Sequence, residues 1–130
     1  MLSIDIIRVY VHDFKTALRF WSVGLGLKVV DSEEESAAPF AILEPPAGVP
    51  AIHLIGGADP YPLEQRPIPG TRPEVFFDVV TTEFDDTLVR LIENGGRRLG
   101  DIETHDETRV VSVADPDGNM FDLFEIPEEQ

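Results

Sequence analysis

Ile7-Arg8-Val9-Tyr10-Val11, followed by Phe14, Ala17, Leu18 and Trp21 at helical spacing and then by Gly24-Leu25-Gly26, decides the fold, because the same order returns in the second half of the chain. Ile7, Val9 and Val11 alternate as in a half-buried strand, and the glycines stop the helix that follows. In the second half Val75, Phe77 and Val79 alternate, Phe84, Thr87, Leu88, Leu91 and Ile92 form the helical stripe, and Asn94-Gly95-Gly96 ends it. Neither copy has enough apolar surface to build a core alone. The two are therefore expected to pack on each other and leave a pocket at their join.

Outward from each repeat lies a hairpin. In the first half Phe40-Ala41-Ile42-Leu43 and Ala51-Ile52-His53-Leu54-Ile55 flank the Pro/Gly loop from Glu44 to Pro50. In the second, Arg109 to Ala114 pairs with Asn119 to Phe124 across Asp115-Pro116-Asp117-Gly118, where proline presets one dihedral and glycine accepts a positive one. Thr82 is the expected N-cap of the second helix, with Asp85 in its first turn, and Asn94-Gly95 is its left-handed stop. A proline- and glycine-rich stretch separates the halves and reads as a stiff linker. The expected organisation is a first module over residues 1–56, a linker over 57–73 and a second module over 74–130, together one domain.

Length and composition narrow the function. At 130 residues and 42% hydrophobic content, the chain has the size of one ordinary domain with a real core. It has no apolar run near the ~20 residues of a membrane span and no charged-then-apolar leader at Met1, so a soluble cytoplasmic protein without a membrane partner is expected. With no cysteine, thiol chemistry and disulfides are excluded, and His, Asp and Glu remain as strong metal ligands, which suit Mn, Fe, Ni or Zn. A net charge of −15 argues against nucleic acid as a partner, since phosphate backbones need clustered Lys or Arg. The same acidity suits a cationic ligand or a metal, or serves only to keep the surface solvated.

The run Val11-His12-Asp13-Phe14 through Ala17-Leu18-Arg19-Phe20-Trp21 to Gly24-Leu25-Gly26, with the late run Asp115-Pro116-Asp117-Gly118-Asn119-Met120-Phe121-Asp122-Leu123-Phe124-Glu125, resembles the vicinal oxygen chelate superfamily. That group contains glyoxalases, bleomycin resistance proteins and extradiol dioxygenases. The resemblance covers nearly the whole chain and implies an α+β fold of two βαβββ modules forming a curved, incomplete barrel. It also implies a small-molecule ligand and a homodimer.

In the metal-dependent members that this pattern resembles, each module contributes ligands from its first and last strands. Alternation puts Ile6, Arg8 and Tyr10 on the cavity side of the first strand. The family's first-strand histidine falls at Ile6, which cannot bind a metal. His53 falls at the ligand position of the first module's last strand, and Asp122 replaces the more usual glutamate in the second. On the first strand of the second module, Glu74, Phe76 and Asp78 face the cavity; the pattern prefers Glu74 as ligand, with Phe76 open. The expected metal set is thus His53, Glu74 and Asp122, with Glu74 also the candidate catalytic carboxylate. Ile6, Arg8, Tyr10 and Phe76 are the candidate substrate walls. Arg8, beneath His53, is placed to hold a carboxylate or to neutralise Asp122. His12 and His105 read as surface residues, and Trp21 as core.

Three functional classes stay open under the resemblance. One is a divalent-metal-dependent lyase, isomerase or dioxygenase acting on a substrate with vicinal oxygens, in which the ion polarises the oxygens and a carboxylate moves a proton. The alternative is a metal-free, non-catalytic binder that sequesters a drug or metabolite. A metal-free enzyme with Glu74 or His53 as base stands beside them.

Overall fold

Each half of the chain folds into its own sheet, and the helices of both halves fill the space behind them. The computed structural model describes residues 1–57 and 77–126. The expected linker beyond Gly57, together with Glu74, Val75 and Phe76, lies outside the described residues. The elements run β1 (Ile6–Tyr10), α1 (Phe14–Arg19), β2 (Lys28–Glu33), β3 (Phe40–Glu44), β4 (Ala51–Ile55), β5 (Phe77–Thr81), α2 (Phe84–Glu93), β6 (Arg97–Arg98), β7 (Glu103–His105), β8 (Thr108–Ala114) and β9 (Met120–Glu125). The first sheet has the order β1-β4-β3-β2 and the second β5-β9-β8-β6, with β7 also on β8. In each sheet the strand before the helix pairs parallel with the last strand, β1 with β4 and β5 with β9. The architecture is α+β, two sheets of four and five strands without a closed barrel.

Alternation explains which side of each strand is buried. Val9 and Leu54 in the first sheet and Val111, Val113, Phe121 and Leu123 in the second join one apolar cluster with Phe14, Phe20, Trp21, Phe84 and Leu91 from the helices. The opposite face of each sheet carries a mixture of polar and apolar side chains, Arg8, His53 and Ile42 on the first and Ser112, Asp122 and Phe124 on the second. No helix among the described residues is long and apolar enough to cross a membrane.

Two local features depart from simple expectation. Asp13 caps α1 by accepting from Thr16 N–H and Oγ1, but the helix widens after Arg19 into a π-turn over Phe20–Gly24, closed by the Leu25 N–H on the Phe20 carbonyl at 3.0 Å. Within that wide turn two consecutive aromatics, Phe20 and Trp21, lie fully inside. The expected Thr82 cap is not formed. Glu83 holds the cap position without a side-chain bond, Thr81 Oγ1 accepts its N–H at 2.9 Å, and Asp85 is drawn instead into a bidentate pair with Arg109. Arg109 also grips Glu125 and lies 4.6 Å from the centroid of the Phe84 ring, so one guanidinium ties α2 to β8 and β9. It holds the Asp85 and Glu125 carboxyls below their ordinary values by hydrogen bonding.

The halves are joined at the turn between β8 and β9. Asp115, 1% exposed, accepts from Trp21 Nε1 at 3.1 Å, from the backbone N–H groups of Asp117 and Asn119 at 3.0 and 2.7 Å, and from Asn119 Nδ2 at 2.9 Å. The same turn reaches the end of β1: Asp117 Oδ1 accepts the His12 N–H, and Asn119 Nδ2 donates to the Tyr10 carbonyl. Burial raises the Asp115 carboxyl above its usual range while the surrounding donors pull it back. Replacing it strands several donors at once, so Asp115→Ala should lower the unfolding free energy by about 3 kcal/mol. Urea denaturation followed by Trp21 fluorescence checks this, and a loss well under about 1 kcal/mol would show that the turn is held by other contacts.

Candidate functional site

The candidate site is built from the faces of the two sheets turned away from the helices. In the first sheet Val9 and Leu54 point into the core, so Arg8 and His53 stand on the other face, directly opposite each other in the parallel β1–β4 register. On the other side of β4, Ile42 is the register partner of His53, and Phe40 meets the His53 ring edge-on at 5.9 Å between centroids. Ile6 is partnered with Ala51 and is 44% exposed, and Tyr10 is partnered with Ile55. Partial burial lowers the His53 pKa below its ordinary 6.5, and the charge of Arg8 lowers it further. His53 is thus biased toward the neutral imidazole near pH 7.

The second sheet repeats this geometry with opposite charge. Phe121 and Leu123 face the core, so Asp122 stands on the outer face, in register with Asp78 across the parallel β5–β9 pair and with Ser112 across the hairpin. Ser112 Oγ donates to Asp122 Oδ1 at 2.7 Å. Around them lies an open groove of about 610 Å³, with Val110, Met120 and Phe124 as apolar floor and Asp101 and Glu103 beside Asp122. The wall exists because the strand expected between α2 and β8 is broken into β6 and β7, both antiparallel to β8, and the interruption at Leu99, Gly100 and Asp101 turns into the groove.

Arg8 and His53 are therefore brought together, and Asp122 is brought to Ser112 and Asp78, but His53 and Asp122 stand in different sheets. Glu74 and Phe76 lie outside the described residues. Among the described residues no three His, Asp or Glu side chains group closely enough to hold a metal ion. An arginine opposite His53 and an apolar residue at position 6 suit a divalent ion poorly, so these donors do not by themselves form a metal centre. Sequence reasoning put Asp78 on the cavity side without selecting it, and it missed Ser112, Asp101, Glu103 and the floor of Met120 and Phe124. Alternation along β9 was the available signal for Met120 and Phe124, since both share the parity of Asp122.

A family model described as a glyoxalase-like domain matches residues 3–124. The chain belongs to this family. It is thereby a member of the glyoxalase, bleomycin resistance and dioxygenase group, the vicinal oxygen chelate superfamily. Among solved structures, a glyoxalase family protein from Bacillus cereus is similar with a TM-score of 0.78 at 17% identity, covering 98% of this chain and 96% of that one. The genomically encoded fosfomycin resistance protein FosX from Listeria monocytogenes has a TM-score of 0.72 at 15% identity, covering 97% and 94%. A superfamily member from Sphaerobacter thermophilus has a TM-score of 0.66 at 21% identity, covering 97% and 98%. Likeness at these identities establishes the shared fold only. No curated protein matches the chain.

The electrostatic coupling of Arg8 to His53 is measurable. In a proton-NMR titration the His53 ring should have its midpoint below 6.5, and Arg8→Gln should raise it, because removing a positive neighbour makes the imidazolium easier to form. An unchanged midpoint in the variant would show that burial alone sets the value.

Proposed function

We propose that this glyoxalase-like protein is a metal-independent binder of a small organic molecule, held on the outer faces of the two sheets. The observation that carries this reading is the donor set: Arg8 opposite His53 in one sheet, Asp122 on Ser112 in the other, and an apolar Ile6 at the first-strand position. The groove on the second sheet has the makeup of a ligand site, with an apolar floor and a few convergent polar groups. Its carboxylates at Asp101, Glu103 and Asp122 favour a positively charged or hydrogen-bond-donating part of the ligand. The metal-dependent lyase, isomerase or dioxygenase reading requires Glu74 to join His53 and Asp122 around one ion.

Elemental analysis separates these readings. Protein purified without chelator should carry well under one Mn, Fe, Ni or Zn per chain, and dialysis against EDTA should leave its melting temperature unchanged. Stoichiometric metal that is lost in His53→Ala would overturn the proposal in favour of a metal enzyme. Ile6→His tests the converse, since it adds a neutral nitrogen donor on the same strand and face as Arg8, in the sheet of His53, and should raise metal affinity if the set is poised for an ion.

The reading includes a homodimer. Among the described residues β1 is an edge strand, and near it the apolar Ile4, Ile6 and Val49 are 67%, 44% and 52% exposed. A second copy covering this edge would bury these side chains against the repulsion of the −15 charge. Sedimentation equilibrium should then show a dimer at micromolar concentration whose association tightens as salt rises, and a monomer throughout would refute it.

A further inference from the structure

The two modules place equivalent residue pairs at equivalent positions, and the pairs differ in charge. Where β1 runs parallel to β4 the outward pair is Arg8 and His53; where β5 runs parallel to β9 it is Asp78 and Asp122. The chain carries 25 acidic against 10 basic side chains, so an arginine without a carboxylate partner is not for want of carboxylates. Yet among the described residues no carboxylate pairs with Arg8, whereas Lys15, His105 and Arg109 each have one. Its neighbour is the half-buried His53, whose ring is held edge-on by Phe40. A guanidinium offers a planar fork of donors that matches two adjacent oxygens, and a neutral imidazole adds one further N–H.

We propose that Arg8 is the resident cation of the site, and that Arg8 and His53 together bind an oxyanionic group of the ligand, a carboxylate or a chemically similar acid. The guanidinium supplies at this position the positive charge that a divalent ion would otherwise bring to vicinal oxygens. This inference rests on the metal-independent reading above. With Asp78 and Asp122 on the equivalent strands of the other sheet, a molecule reaching both faces would carry an acid at one end and a donor group at the other.

Oxalate, which presents vicinal carboxylates, is a suitable probe. EDTA-treated protein is titrated with it at constant ionic strength, following the His53 ring resonances by NMR and the heat of binding by calorimetry. The −15 chain repels a dianion at long range, so saturable binding marks a local site rather than a general attraction. The expected result is saturation that shifts the His53 ring, weakened at least tenfold in Arg8→Gln and partly restored in Arg8→Lys. Arg8 is exposed on the sheet face, so both variants are expected to keep the wild-type circular dichroism and melting temperature. No shift at His53, or equal binding by Arg8→Gln, would overturn the assignment of Arg8 while leaving the metal-free reading in place. Oxalate binding that appears only on adding Mn or Zn would overturn both.

Discussion

The carboxylate of Asp115 is the constraint on which the arrangement of the two halves depends. It is buried and gathers donors from Trp21, Asp117 and Asn119, so the turn of the second hairpin is locked onto an aromatic of the first half. An ionised group in such a place is tolerable only because its lone pairs are met by hydrogen bonds. With that turn fixed, Asn119 reaches the Tyr10 carbonyl and Asp117 the His12 N–H, which sets the end of β1 against the second module. Trp21, Phe77 and Phe121 pack around the same junction, with Phe77 and Phe121 stacked at 5.5 Å.

The helices contribute a second joint. Arg19 Nε donates to Asn94 Oδ1 at 2.8 Å, and Arg90 Nε donates to the Gly24 carbonyl at 3.4 Å, so each helix sends an arginine to the end of the other. Arg90 thereby meets a backbone carbonyl at the end of the first half's helical segment, where carbonyls lack partners further along the helix, while Arg19 meets the side chain of the residue that caps α2. These contacts tie the two helices together and leave the outer faces of the sheets free to diverge. Arg8 and His53 on one sheet against Asp78 and Asp122 on the other show how far they have diverged without disturbing the core. A scaffold of this kind can host unrelated chemistries, because the core depends on one parity of each strand and the ligand face on the other.

The repeat, the fold class, the two hairpins and the burial of Trp21 were legible in the sequence, because they rest on periodicity and turn chemistry, which are properties of neighbours along the chain. Alternation likewise placed Arg8 and His53 on the face opposite Val9 and Leu54. The sequence reading set Arg8 beneath His53, but the exact residue-to-residue register of β1 on β4 is a tertiary property, because the strands lie so far apart in the chain. The tertiary structure alone decided that Trp21 finds Asp115, that Asp85 serves Arg109 rather than a helix cap, that Phe20 and Trp21 both turn inward through a π-turn, and that a strand breaks at Leu99 and Gly100 to wall a groove. Each depends on a partner remote in sequence, and a single chain read residue by residue carries no record of which distant donor meets which acceptor.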